Sequence, residues 1–441
     1  MSNQCISLPA QDLPLPGALR VEDSSLHAGV GWSLSGNIVF AASQWGILSA
    51  LAYFGGAVAV GQFSLGLAIA TPILTFTNLQ LRAIVATDAT NRRSFPDYLR
   101  LRSATTLLAL SAMIAVLLCT PYRGVTFWMI VCVALAKAID SCSDIHYGLF
   151  QQQERFRSVA VSLMLRGTLG TALLAAVIYT TGNASFAVAA LAAAWLAVLL
   201  LHDVPSGRTF APSTGALLPA PKSFFLSRRD LLFLRTVLPL GFVSALISLQ
   251  TNVPRYFIQW HSGESALGIF SAIAYLGTLL TVFIDALGAA AMPRLARHFA
   301  AGRISDFRGL VARLSALACM AGLLGVIAAA AIGPLVLRIA YGKEFVPYRE
   351  LFVWLMAATA VTCLGTVLTC ALTAAGRLRV QVPLFFTAVA TASLGCAILI
   401  PKAGSIGAAW AMLTAATVHA VLTLALVAHS CRPSPAPHRI P

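Results

Sequence analysis

The sequence predicts an all-α integral membrane protein, with about twelve transmembrane helices arranged as two six-helix bundles. Three observations carry this. Of its 441 residues 58% are hydrophobic and only 10% are charged, with a mean hydropathy of +0.82, whereas soluble domains carry roughly 25% charged residues. Apolar runs long enough to span a bilayer recur along the chain. The basic residues gather in alternate connections between those runs, as expected of a multi-pass membrane protein.

The chain opens with "MSNQCISLPAQDLPLPGALRVEDSSLHAG", which has neither a basic start nor a continuous apolar core. It is Pro-rich and polar, so residues 1–31 are expected to form a disordered tail rather than a signal peptide. Six spans follow, near 32–54, 62–88, 103–121, 125–147, 159–180 and 184–202. A hydrophilic stretch rich in Pro, Ser and Gly, residues 203–235, is expected to link the halves. Its end, "KSFFLSRRDL", suits an amphipathic helix on the membrane surface. The second half supplies spans near 236–258, 266–290, 309–333, 350–374, 381–400 and 405–429, and residues 430–441 form a second tail.

If the N-terminus is cytoplasmic, outside loops hold only Arg123, Arg338, Lys343, Arg349 and Lys402, and four basic residues, Arg82, Lys137, Arg166 and Arg255, fall within spans. The remaining Lys and Arg lie inside, among them Arg92, Arg93, Arg100, Arg102, Arg294 and Arg297. One helix more or fewer would destroy this asymmetry, so it supports both the count and cytoplasmic termini. The net charge of +15 is therefore a belt facing anionic headgroups, and no nucleic-acid motif accompanies it.

The halves carry a faint repeat. The second span opens "GQFSLGLAIATPILTF" and the eighth "GIFSAIAYLGTLLTVF"; each is followed by an acid, Asp88 or Asp285, and then by basic residues. Six spans per half is even, so both halves insert the same way, as a parallel repeat about an axis along the membrane normal.

Enzymatic chemistry has little foothold. The outside connections are short, and the longest, "GPLVLRIAYGKEFVPYRE", offers Glu344 and Glu350 without a paired-acid motif. There is no phosphate-binding glycine loop, nucleophile elbow or zinc-spaced His/Cys set. The nine cysteines are scattered, most of them inside apolar runs, and read as small apolar residues. No cofactor or metal is expected.

Polar groups inside spans are costly in lipid and mark internal pathways or helix contacts. In "KAIDSCSDIHYG", Lys137, Asp140 and Asp144 fall on one helix face. Together with Arg166 and Asp285 they are candidates for a gate or ion-coupling site; the alternative is a neutralised cluster that fixes helix packing. Arg82 either snorkels to headgroups or lines a cavity. Asn37, Gln44, Gln250 and Asn252 either line a polar cavity or join helices. In "TNVPRYFIQWHSG", Pro254 can loosen the helix beside Arg255. Arg255 is then either an interfacial anchor among Tyr256 and Trp260 or a bidentate fork for phosphate.

The runs "GNIVFAASQWGILSALAYFGGAVAVGQFSLGLAIATPILTFTNLQLRAI" and "NVPRYFIQWHSGESALGIFSAIAYL", the latter followed by an acid and "MPRLARHF", resemble Wzx-type bacterial polysaccharide flippases. These form the polysaccharide transport branch of the multidrug/oligosaccharidyl-lipid/polysaccharide exporter superfamily. The resemblance covers about residues 32–310. It implies a V-shaped central cavity, alternating access, residence in the bacterial inner membrane, and export of undecaprenyl-pyrophosphate-linked oligosaccharide. It implies as partners this lipid-linked substrate and membrane lipids, with a polysaccharide polymerase and glycosyltransferases acting nearby, and no nucleic acid. Relatives often have a cationic lumen; here Asp140, Asp144 and Asp285 offset much of the basic charge, which leaves the lumen's sign open. Two other functions fit the same features: a multidrug exporter of the related branch coupled to a H+ or Na+ gradient, and a non-transporting membrane subunit of a polysaccharide synthase complex.

Overall fold

The computed structural model describes residues 23–88, 93–210, 228–377 and 380–431. Among them the chain is built from helices: α1 Asp23–Asn78, α2 Leu81–Thr87, α3 Phe95–Cys119, α4 Gly124–Gln152, α5 Phe156–Thr181, α6 Ala184–Val198, α7 Val204–Phe210, α8 Arg228–Ala300, α9 Ile304–Tyr341, α10 Arg349–Ala374 and α11 Gln381–Ser430. A π-helical turn, Leu199–Asp203, joins α6 to α7, and a 3-10 turn, Lys343–Tyr348, leads into α10.

Nine helices among the described residues are long and apolar enough to cross a membrane. Three of them are too long to cross once. At about 1.5 Å per residue, the 56 residues of α1, the 73 of α8 and the 50 of α11 far exceed a hydrocarbon core of about 30 Å. Each of the three contains a glycine with non-helical backbone angles: Gly56 (φ 70°), Gly263 (φ 79°) and Gly404 (φ 54°). Positive φ is open to glycine at little cost and strains other residues. Each long helix is thus two crossings joined by a tight bend, which makes twelve crossings among the described residues. The bends fall between the spans expected at 32–54 and 62–88, 236–258 and 266–290, and 381–400 and 405–429.

The two ends of the molecule pack differently. At the end carrying the Gly56 and Gly263 bends, one hydrophobic core runs through both halves, from Leu51, Val60 and Phe63 through Met129 and Val188 to Ile258, Phe270, Tyr341 and Leu355. At the end carrying the link between the halves, the apolar clusters separate. Leu295, Phe307, Leu368 and Leu384 form a cluster belonging to the second half alone. Leu79, Phe95, Tyr98 and Leu149 form one in the first half, joined there by Val237 and Phe233 from the start of α8. The bundles are joined at the bend end and packed apart at the linker end, except along the seam between α1–α3 and the start of α8. There Arg93 and Arg100 clamp Asp230 at 2.6 and 3.1 Å, and Gln80 Nε2 donates to Ser244 Oγ at 2.8 Å.

Several expected boundaries are corrected. The second span is not one helix: Leu79 (φ 50°) and Gln80 (φ 55°) adopt left-handed backbone and separate α1 from α2. Residues expected in the loop before the third span are helical from Phe95, because Pro96 sits in the first turn, where its missing N–H is harmless. Within the link expected over 203–235, α7 runs to Phe210 and α8 starts at Arg228, with residues 211–227 outside the described residues. Residues 23–31 of the expected N-terminal tail begin α1. The rest of that tail, most of the expected amphipathic segment and residues 432–441 lie outside the described residues.

Candidate functional site

Helix α4 organises the polar interior of the first bundle. Its apolar positions pack on α1 and α6, and the face bearing Lys137, Asp140, Ser141 and Asp144 turns toward α1, α3 and α5. The four predicted groups do not form one cluster. They form two adjacent clamps, one around each carboxylate.

Asp140 is held between Lys137 Nζ at 2.6 Å and Arg166 Nη2 at 2.7 Å. Arg166 has no exposed surface. It also donates to Tyr147 Oη at 3.1 Å, lies 4.6 Å from the Trp195 ring centre, and accepts the Trp195 indole N–H on its carbonyl at 3.1 Å. Tyr147 Oη in turn lies 2.8 Å from Ser162 Oγ. Engagement of both Nη groups makes this buried guanidinium tolerable, since an ion removed from water needs both a counter-charge and hydrogen bonds; among the described residues only its Nε lacks a partner.

Asp144 faces the other way. It receives Arg82 Nη1 at 3.2 Å and Arg102 Nη2 at 3.3 Å. Arg102 is likewise fully buried; it donates to Ser141 Oγ at 3.2 Å and to the side-chain carbonyl of Asn78, which Ser141 also contacts. Arg82 donates through Nε to Gln151 at 3.2 Å and sits over the Tyr147 ring. The snorkelling reading of Arg82 therefore gives way to an ion pair inside the bundle.

By sequence position Arg102 belongs to an inside loop; the structure corrects this and places it in the network inside the bundle. It follows a run of charged residues that resembles a connection, and only the early start of α3 draws it inside. The signal was indirect: Asp144 lies a full turn beyond Asp140 and needs its own cations. Asn78 was missed too; as the last residue of α1 before the left-handed break, its side chain is turned to Arg102 and Ser141.

The two clamps border two polar cavities. One of about 420 Å³ is lined by Thr75, Asn78, Gln80, Arg82, Asp144 and Gln151. A smaller one, of about 170 Å³, is lined by residues that include Thr71, Lys137, Asp140 and Ser141. Two carboxylates meet four cations here, so this face carries a surplus of positive charge.

The other predicted residues lie elsewhere. Arg255 Nη1 donates to Asn252 Oδ1 at 2.6 Å, one turn back on the same helix, while its Nε is buried without a hydrogen-bond partner among the described residues. α8 passes Pro254 without a break and bends instead at Gly263, so Pro254 frees no carbonyls by kinking. Tyr256 is not a surface anchor beside it: its hydroxyl donates to the Ala68 carbonyl of the first bundle. Trp260 is exposed. Among the described residues Gln44 Nε2 is buried without a hydrogen-bond partner; Asn37 is exposed and donates to the Ser33 carbonyl, and Gln250 is half-buried. Asp285 is exposed and makes no ion pair among the described residues.

Two helical bundles joined at one end, with polar and charged groups turned inward, define a membrane transporter fold. Solved structures agree. A multidrug resistance MATE family transporter of the MOP superfamily, in an inward-facing conformation, superposes with a TM-score of 0.67 at 15% identity, covering 89% of this chain and 94% of that one. A MOP superfamily transporter from Pyrococcus furiosus superposes with a TM-score of 0.61 at 15% identity, covering 92% and 95%. The sequence is more specific than the fold. The polysaccharide biosynthesis protein family matches residues 26–299, and the chain belongs to it. The capsular polysaccharide biosynthesis protein CapF of Staphylococcus aureus is 23% identical over 373 residues, covering 85% of this chain and 92% of CapF.

Proposed function

We propose that the chain is a flippase that moves undecaprenyl-pyrophosphate-linked oligosaccharide, or a related polysaccharide precursor, from the inner to the outer leaflet of the bacterial inner membrane by alternating access. On this reading both termini are cytoplasmic, the polyprenyl tail stays in lipid, and the charged glycan crosses between the bundles. Membership of the polysaccharide biosynthesis family supports the substrate class. The observation that carries the reading is the surplus of cations over carboxylates on the inward face of α4 and its neighbours. Charge buried in membrane helices is retained for a pathway or a relay, and a positive surplus suits an anionic cargo.

The same geometry weighs against a cation-coupled drug exporter built on Asp140 or Asp144. Each of those carboxylates is held by two cations, so an incoming H+ or Na+ would have to displace both. Coupling to an ion gradient falls instead to Asp285, the predicted acid with no ion pair among the described residues. Arg255 is assigned to the cargo's phosphate, because its partner Asn252 engages one nitrogen and leaves other donors of the fork free.

Complementation of a flippase-deficient strain tests this. The wild-type chain should restore surface glycan. Arg255→Ala and Arg255→Lys should both lose most of the output while reaching the membrane at normal level, because Lys lacks the planar fork. Full output from Arg255→Lys would overturn the phosphate role, and no output from the wild-type chain would count against the flippase reading.

A further inference from the structure

At the bend end the two bundles meet backbone to backbone. Gly61 and Gly268, which open the two copies of the repeat, follow the bend glycines Gly56 and Gly263 at the same interval. A Cβ built on Gly61 would lie 1.8 Å from the Glu264 carbonyl oxygen, and one on Gly268 would lie 1.8 Å from the Ala57 carbonyl oxygen. Real Cβ contacts do not fall below 3.0 Å, so only glycine allows the halves to cross this closely. The contact is reciprocal, as a two-fold repeat requires: each half offers a glycine to the other half's bend.

One feature of this crossing breaks the repeat. Where the first half has Ala57, the second has Glu264. Both of its carboxylate oxygens are taken by the first bundle: Gln62 Nε2 donates to Oε2 at 2.8 Å, and Thr126 Oγ1 donates to Oε1 at 2.6 Å. Gln62 Nε2 also lies 3.2 Å from Thr126 Oγ1. Among the described residues Glu264 has no cationic partner. Its charge is met by neutral donors from the opposite bundle, through bonds of the strong, charge-assisted kind.

We infer that Gln62, Thr126 and Glu264 form a latch that holds the bend end shut, with Gly61 and Gly268 as the seam it closes. The chemistry suits a gate rather than a fixed joint. Neutral donors on a carboxylate can be exchanged for water when the bundles part, at far smaller cost than separating a buried ion pair. At Gly61 and Gly268 the contact is backbone to backbone, and the shared core around it, with Phe63 and Phe270, parts when the latch opens. The latch is also unlike the seam at the linker end, where Asp230 is clamped by two arginines. The bend end is thus held shut by contacts that water can replace.

Hydrogen–deuterium exchange on the purified full-length chain tests this without reference to any cargo. Gln62→Glu sets two carboxylates face to face. It should speed exchange in residues 57–64 and 261–270 by about tenfold or more, leaving residues 137–147 unchanged. Adding Glu264→Gln reverses the donor and acceptor roles and should restore protection. Wild-type protection in the single variant, or no recovery in the double variant, would overturn the latch. If Gln62→Glu instead loses protection along the whole chain, the near-isosteric Thr126→Val decides. Faster exchange confined to the two bend segments supports the latch, and wild-type exchange there overturns it.

Discussion

Arg166 illustrates what one buried charge demands of its surroundings. Its guanidinium has no exposed surface and is shared between Asp140 and Tyr147, with the Trp195 ring beside it. Arg166→Gln would leave Asp140 with Lys137 alone, and breaking a buried pair from one side costs about 3–5 kcal/mol. Asp140→Asn should also destabilise, by leaving the guanidinium without its counter-charge. The double variant should cost less than the sum of the singles by about 1–3 kcal/mol. Denaturant unfolding in detergent micelles measures the cycle, and additive effects would show that the two side chains are not coupled. The sequence placed Lys137, Asp140 and Asp144 on one helix face and named Arg166 and Arg82, because helical spacing alone brings those groups inward. It did not single out Arg82 and Arg102 as the cations that hold Asp144. Arg102 and Asn78 come from other helices, and their approach depends on where α3 starts and where α1 stops, which local spacing does not reveal.

At the scale of the element, three glycines turn long helices into hairpins. Gly263 is the cleanest case: nothing lies within 4 Å of where its Cβ would stand, and its φ of 79° with ψ of −173° belongs to a region that is essentially glycine's own. Gly263→Ala therefore probes the backbone alone. It should destabilise by about 1–3 kcal/mol, seen as a lower thermal midpoint. An unchanged midpoint would mean the bend relaxes into another conformation. The bends at Gly56 and Gly263 were legible, because glycines stand where each apolar run ends and the next begins. The break at Leu79 and Gln80 was not. Neither residue favours left-handed backbone, and tertiary contacts hold them there: Leu79 is buried against the cluster at the start of α8, and Gln80 bonds to Ser244. Such strain, held by contacts from a distant part of the chain, leaves no local mark in sequence.

For the molecule as a whole, composition and periodicity carried the membrane class and the twelve crossings, because lipid forces every spanning segment to be apolar and helical. The repeat was faint in residue identity, yet it marks the reciprocal crossing of Gly61 and Gly268. Orientation rests on the Lys and Arg distribution and has its own check. Reporter fusions in the link between the halves and at the C-terminus should report the cytoplasm, and fusions within 259–265 and 334–349 should report the periplasm. The opposite result in the link would reverse the assignment of inside and outside and, with it, the direction of the proposed transport.

The most direct measurement is transport itself. The purified full-length chain would be reconstituted into vesicles carrying undecaprenyl-pyrophosphate-linked oligosaccharide in both leaflets, and the glycan exposed outside would be removed with an added glycosidase. A flippase should bring the inner pool out, so that nearly all the glycan is cleaved, and Arg102→Ala, which removes one of the cations holding Asp144, should slow that second phase. Cleavage that stops at the outer half, as in vesicles without protein, would contradict the account.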